Sequence, residues 1–478
     1  MGQDQLSDIL DHLSLMSYEV VLMMGALIVL VGGLVTKKTL IARVLFVATL
    51  LATLLASVVR QEPEMIFYDA LILDALGDIF KLLFSGLAIW IVFFPGAQKR
   101  NSEFYFLILA MMVGSVFMLS ASNLLIIYLA VELTSFASYI LTNFNFSRKG
   151  FEAGIKYLLF GGVSSAIALY GASLVYGISG SLTLSEMNTG GLSGNPLFNF
   201  GLLTFVGGLF FKASLVPFHI WTPSTYQEAP TEAVAILSTV PKIGAFVLLH
   251  RIFDVFDLQD FDWLRLIVMV VGIATIALGT LGALQQNNHK RLIAYGAIAH
   301  SGFLLAPLLI PGHSGLNAFT YYSIIYGVMN LAVFYLLDLY ESKGISTLED
   351  MTGLGRKESY LGGLLVLVLI ALIGLPPTAG FTAKISLFSA MWEWFQMTVD
   401  PMLAIFFGTA VISVVFSLFF YLRIPYYYFF KETEELPTIK SDFVQRFLAT
   451  IFTGVLLWIF FTPQILNNIA ESIKFIAW

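Results

Sequence analysis

The chain has 478 residues, 58% of them hydrophobic and 12% charged, with a formal net charge of -6. About a quarter of residues are charged in soluble domains, so this composition excludes an ordinary soluble fold and indicates an all-α polytopic membrane protein. Cysteine is absent and there are six histidines, which excludes iron–sulfur clusters and Cys-ligated zinc or haem from this chain.

Met1 to Ser17 is polar and acidic, and the first apolar run is expected to become the first span rather than a cleaved signal. Runs of about 20 apolar residues, enough to cross roughly 30 Å of hydrocarbon, then follow one another. They lie near 19–36, 40–59, 76–95, 104–121, 123–143, 153–177, 197–218, 231–250, 265–284, 292–310, 317–340, 361–395 with an internal break, 402–424 and 444–462, fourteen in all. With the N-terminus outside, the inside loops hold Lys37, Lys38, Arg43, Lys99, Arg100, Arg148, Lys149, Lys290, Arg291, Lys343, Arg356, Lys357, Arg423, Lys431, Lys440 and Arg446. The outside segments hold only Arg60, Arg251, Arg265 and Lys474. This bias predicts both termini on the outer side. Asp254, Asp257, Asp260 and Asp262 make the outer loop after the eighth run acidic, as a solvated loop would be.

The remaining five of the 25 basic residues, Lys81, Lys156, Lys212, Lys242 and Lys384, fall in spans. Lys81 follows Asp78 by one turn near the start of its span, which suggests a structural ion pair. Lys156 lies one turn inside its span and can snorkel to the surface. The other three are deeper, where a charge costs roughly 3 kcal/mol on insertion scales and marks function by default.

Phe211 to Pro230 reads FKASLVPFHIWTPSTYQEAP. Pro217 breaks this helix, which is acceptable in lipid only where neighbours or water satisfy the freed backbone groups. The twelfth run is interrupted at LPPTAGF, 375–381, and followed by Lys384. Paired broken spans point to the site of an inverted-repeat transporter. If one unit spans the fourth to eighth runs and the next the ninth to thirteenth, both broken helices are fourth in their unit. The segments are then 1–102, an N-terminal three-helix part; 103–252 and 253–432, two five-helix half-channels; and 433–478, a last helix and tail. The second helix of each unit carries a titratable group, Glu132 in one and His300 in the other.

Glu132, Lys212, Lys242, His300 and Lys384 therefore form a candidate proton relay. Burial favours the neutral form of each group and an opposite charge nearby favours the ionised form, so Glu132 and Lys212 are expected to be a switchable pair. Histidine suits the middle of such a relay. The competing reading is a set of static ion pairs that tie helices together. His219 and Trp221 sit beside the break; His219 is a helix-end hydrogen bonder or a proton inlet, and haem ligation by His219 and His300 has no further support. No hydrolytic triad or phosphate-binding loop is present.

FKASLVPFHIWTPSTYQEAPTEAVAILSTVPKIGAF, HKRLIAYGAIAHSGFLL and LIGLPPTAGFTAKISLF resemble three signatures of the antiporter-like subunits of respiratory complex I. The chain's length and Lys384 resemble a shorter, lysine-bearing branch of that family, rather than the long member with a lateral helix or the branch that typically has glutamate at that position. The resemblance implies fourteen helices with two inverted five-helix units, and places Glu132, Lys212, Lys242 and Lys384 on a proton path. It also implies a bacterial plasma membrane location. Partners would be other membrane subunits, related antiporter-like ones included, with NAD, FMN, iron–sulfur clusters and quinone held by partner subunits and no cofactor here. Ser224 stands where the family usually has Asp, and Glu228 where it usually has Gly. A subunit of a multisubunit cation/proton antiporter, and a membrane scaffold, are the alternatives.

Overall fold

The computed structural model describes residues 3–60, 62–187, 191–258, 260–433 and 441–473. Lys440 and Lys474, two of the charges used to orient the chain, lie outside them.

Helix α1 (Gln3–Leu15) precedes the first span. The apolar helices α2 (Ser17–Thr36) and α3 (Thr39–Ala56) are joined at Lys37, whose φ of 55° ends α2 in a left-handed cap. A short antiparallel hairpin, β1 (Glu64–Ile66) and β2 (Leu71–Leu73), follows in the connection between the second and third runs. It leads into α4 (Ala75–Ile89), whose first turn is capped by Asp74 accepting from the Gly77 N–H at 2.9 Å. Next come α5 (Ser102–Ser120), α6 (Leu124–Thr142) and the long α7 (Arg148–Ser179). The chain continues through α8 (Pro196–Leu209), α9 (Trp221–Glu228), α10 (Thr231–Leu237) and α11 (Val240–Val255). After these are α12 (Asp262–Leu284), α13 (His289–Leu305) and α14 (His313–Glu341). The last helices are α15 (Ser359–Ile373), α16 (Ala379–Thr398), α17 (Pro401–Pro425), α18 (Phe443–Phe461) and the short α19 (Gln464–Glu471).

Among the described residues, 12 segments are long and apolar enough to cross a membrane, and two shorter apolar helices, α8 and α15, stand where the seventh and twelfth spans begin. Twelve and two give the fourteen runs read from the sequence. Both short helices end in a break. Phe210–Ile220 is irregular between α8 and α9, and Gly374–Thr378 separates α15 from α16. Pro217 and Pro377 stand in the two breaks, each with a cis peptide bond before it. Pro cannot donate to a helix, and the groups freed by the first break find partners locally. The Val216 N–H donates to Thr275 Oγ1 at 3.0 Å, and Trp221 Nε1 donates to the Phe211 carbonyl at 3.1 Å. Gly374, with a φ of 86°, takes the left-handed cap that ends α15.

The eighth span has an interruption of its own, at Ser238–Thr239 between α10 and α11, one turn before Lys242. The corresponding α17 is continuous, so the two five-helix stretches are not copies in detail.

The core is the middle of the bundle. The α10–α11, α13 and α14 spans are 94%, 94% and 89% buried, against 33% for α2, α7, α17 and α18. Small residues bring helices together at the edge. A Cβ on Gly171 of α7 would stand 2.2 Å from the Phe205 nitrogen of α8, the close approach typical of membrane helix pairs.

Two residues counted in the charge pattern, Arg251 and Lys290, are buried and paired within the fold. Arg251, expected in an outer segment, is buried within α11 and forks onto Asp74 at 2.8 and 3.0 Å while its Nε donates to the Leu119 carbonyl at 2.6 Å. Lys290, expected in an inner loop, is also buried and pairs with Glu341 at 2.9 Å. Helix-end position and sequence spacing did not reveal their partners, which come from distant parts of the chain.

Candidate functional site

Lys212 lies at the start of the first break, 2% exposed. Its Nζ donates to Ser135 Oγ at 3.2 Å, Ser138 Oγ at 3.4 Å and Tyr157 OH at 3.5 Å. Tyr157 stacks on Trp221 with ring centroids 4.1 Å apart, so Trp221 seals the site with its ring while its nitrogen holds the break. Ser135 is one helical turn beyond Glu132 on the same face of α6, which sets the carboxylate beside the lysine's hydroxyl cradle. No ion pair within 4 Å joins Glu132 and Lys212, and Glu132 Oε1 is buried without a hydrogen-bond partner among the described residues. The hydroxyls of α6 and α7 occupy the ammonium instead.

Lys242 follows the Ser238–Thr239 interruption. Its Nζ donates to the Ala297 carbonyl on α13 at 3.0 Å and lies 5.8 Å from the Tyr326 ring centre on α14. Tyr326 in turn donates its hydroxyl to the Ser238 carbonyl at 3.0 Å, satisfying the interrupted helix. His300 shares α13 with Ala297. Its Nδ1 is 2.7 Å from Tyr322 OH, and its ring lies 5.5 Å from Tyr326 and 6.0 Å from Phe303. The Phe303 ring lies 5.0 Å below Lys384 Nζ. His300 therefore sits between the ring under Lys242 and the ring under Lys384.

Lys384 caps a helix. Its Nζ donates to the Leu372 carbonyl at 3.1 Å and the Ile373 carbonyl at 2.6 Å, the last carbonyls of α15 left free by the break. A cation at a helix C-terminus is worth about 0.3–1 kcal/mol and more when partly buried. The lysines are not matched between the two units: Lys212 precedes its proline and Lys384 follows its own, in the second half of the broken span.

The other span lysines behave differently. Lys81 pairs with Glu19 at 2.8 Å and Asp78 at 3.1 Å, and Asp78 also binds Arg60 at 2.9 Å, so this network is the structural tie that the sequence suggested, enlarged by Glu19. Lys156 is half exposed and pairs with Glu152 at 2.6 Å on the outer face of α7. His219 is half-buried beside exposed Pro217 and Ile220, Ser224 Oγ donates to the Trp221 carbonyl at 3.0 Å, and Glu228 accepts from Gln227 at 2.9 Å.

Sequence reasoning missed a polar cluster at the start of α10. Arg100 pairs with buried Glu232 at 2.6 Å, and the Gly96 N–H donates to buried Asp338 at 2.9 Å. Lys290 bonds Glu341, the Ala229 carbonyl at 2.9 Å and Thr231 Oγ1 at 3.3 Å, and Thr231 also donates to Glu341. It also missed the tyrosines and serines around the lysines. Ser135 was detectable by its spacing of three residues from Glu132 and Ser138 by the same spacing from Ser135; the tyrosines had no signal distinguishing them from core.

The fold matches a chain of the Mrp complex from Dietzia sp. with a TM-score of 0.80 at 20% identity, covering 96% of this chain and 95% of that one. It matches a chain of respiratory complex I from Thermus thermophilus with bound aureothin with a TM-score of 0.78 at 27% identity, covering 96% of this chain and all of that one. Residues 121–413 match the family described as NADH:quinone oxidoreductase/Mrp antiporter, transmembrane. The sequence is 35% identical over 434 residues to NADH-quinone oxidoreductase subunit N 2 of Rhizobium meliloti, covering 87% of this chain and 88% of that protein. From the broken spans through to these matches, the chain belongs to the NADH:quinone oxidoreductase/Mrp antiporter family of membrane subunits, in the branch named subunit N.

Proposed function

We propose that this chain is a proton-translocating membrane subunit of a respiratory NADH:quinone oxidoreductase, driven by electron transfer in partner subunits. The observation that carries this reading is that Lys212, Lys242 and Lys384 are buried and, among the described residues, bond to hydroxyls and carbonyls and to no carboxylate. Static ion pairs would need carboxylates, as Lys81 has. A buried ammonium held by neutral groups can lose its proton without stranding a buried anion.

Glu132 is the element that biases Lys212. A carboxylate one turn from the hydroxyl cradle favours the ammonium while it is ionised and releases that preference when it is protonated. Lys242, His300 and Lys384 carry the proton onward. Tyr322 engages His300 Nδ1, so the other ring nitrogen exchanges protons with water between the two lysines. The rings of Tyr326 and Phe303 offer their faces to the flanking ammonium groups, a contact worth about 0.5–2 kcal/mol to a cation.

In this reading 103–252 and 253–432 are the two half-channels, the first 102 residues hold them laterally, and both termini face outward from a bacterial plasma membrane. NAD, FMN, iron–sulfur clusters and quinone belong to partner subunits, and related antiporter-like subunits are among the neighbours. The name of the relative at 35% identity supports the oxidoreductase reading; a cation/proton antiporter subunit is the alternative, and sodium-dependent transport without NADH would mark it.

The test uses membranes carrying Lys242→Ala, with the complex checked on native gels. NADH-driven quinone reduction and proton uptake into inverted vesicles are expected to fall together by at least about tenfold, since one lost relay group raises the barrier by more than 1.4 kcal/mol. Normal rates of both would remove Lys242 from the path.

A further inference from the structure

Tyr226 belongs to α9, the eight-residue helix after the first break. This helix packs against both α7 and α13. α7 supplies Tyr157, 3.5 Å from Lys212 Nζ, and α13 supplies the Ala297 carbonyl, 3.0 Å from Lys242 Nζ. α9 thus stands between the helices that hold the two lysines. The Tyr226 side chain is completely buried, and its hydroxyl has no hydrogen-bond partner among the described residues. Its ring is set by edge contacts to Trp221 at 6.4 Å and Phe334 at 6.0 Å.

The titratable groups that face Tyr226 are Tyr157 and Tyr326. Tyr157 touches Lys212, and the Tyr326 ring lies under Lys242. The phenol of Tyr226 therefore falls between the two sites, at a place where no group of the described residues bonds it. Thr222 and Thr225 on the same short helix also have fully buried hydroxyls without partners among the described residues. Buried polar groups in folded proteins are bonded to protein or to ordered water. Three unanswered hydroxyls along one short helix mark a hydrated seam.

We propose that the Tyr226 hydroxyl, with water in this seam, is the bridge that carries protons between the Lys212 and Lys242 sites. The proposal rests on the reading of both lysines as relay groups. The Lys212 ammonium gives one proton to a water, and a water proton reaches the phenol oxygen as the phenol's own proton leaves on the far side. That proton passes through a second water to the unprotonated Lys242 amine. One N–H bond breaks at Lys212 and one forms at Lys242; the tyrosine ends neutral, as it began, and no electron moves.

The experiment uses the intact complex in membranes, comparing Tyr226→Phe with Lys212→Ala, Lys242→Ala and Tyr226→His. Phenylalanine keeps the ring between Trp221 and Phe334 and removes only the hydroxyl. In Tyr226→Phe, coupled quinone reduction and proton uptake are expected to fall by about tenfold, the effect of one lost hydrogen bond in the barrier, with a larger ratio of rates in H2O and D2O. Tyr226→His, which returns a group able to pass a proton, is expected to recover part of the loss. Wild-type rates in Tyr226→Phe beside inactive Lys212→Ala and Lys242→Ala overturn the bridge and leave the relay standing. Wild-type rates in all three overturn the relay itself. A fall in Tyr226→Phe that leaves the isotope ratio unchanged and that histidine does not relieve assigns Tyr226 to packing and overturns the bridge.

Discussion

Lys81 in α4 and Lys242 in α11 are almost equally buried, 2% and 1% exposed, yet among the described residues only Lys81 has carboxylate partners. Glu19 and Asp78 hold Lys81, with Arg60 completing the network, while Lys242 bonds a single carbonyl. A charge surrounded by opposite charges is fixed, because removing its proton leaves uncompensated anions. A charge surrounded by dipoles and rings is movable. Burial alone therefore does not separate a tie from a relay; the partner's chemistry does.

The largest way to break this contrast is Lys81→Met. It leaves Glu19 and Asp78 buried with one cation lost, which costs about 3–5 kcal/mol. The complex is expected to accumulate poorly on native gels, and any complex that does form should pump normally per molecule. Next is Lys384→Met, where the order reverses. Two carbonyls at the end of α15 lose their donor, for about 1–3 kcal/mol. The complex should accumulate, with a modestly lower thermal midpoint, while proton uptake and quinone reduction fall together. The smallest is Gly374→Ala. At a φ of 86° an alanine costs about 1–2 kcal/mol, and its Cβ would stand 2.5 Å from Lys384 Cδ. The lysine must shift off the α15 carbonyls, and a partial loss of uptake with Lys384 still present would show that its position matters as well as its charge.

Much of this was legible because a membrane imposes strict terms. The fourteen runs survive as helices because few sequences other than spans keep about 20 apolar residues together, and the two breaks announce themselves through Pro217 and Pro376–Pro377. The lysines were legible for the same reason, since charge in an apolar run is rare. What surrounds them was not. Tyr157, Tyr226 and Tyr326 are aromatic residues at helical spacing, indistinguishable by type from core. The β1–β2 hairpin involves too few residues to leave a pattern, the interruption at Ser238–Thr239 is marked only by Pro241 just after it, and the polar cluster of Gly96, Arg100, Glu232, Lys290, Asp338 and Glu341 includes a hydrogen bond, Gly96 to Asp338, that spans 242 residues. The immediate partners of Lys212 were not legible either: Ser135, Ser138 and Tyr157 meet the ammonium, with the Glu132 carboxylate one turn away.

The eighth span is clamped at both extremities. At one, Arg100 grips Glu232 and Lys290 grips the Ala229–Thr231 corner; at the other, Arg251 forks onto Asp74. Between these anchors, among the described residues, the helix is interrupted at the Ser238–Thr239 turn. Mechanically the span is a strut with one elbow, so load applied at either extremity is relieved by bending there. Lys242 stands one turn from the elbow, and its amine would swing most when the strut flexes.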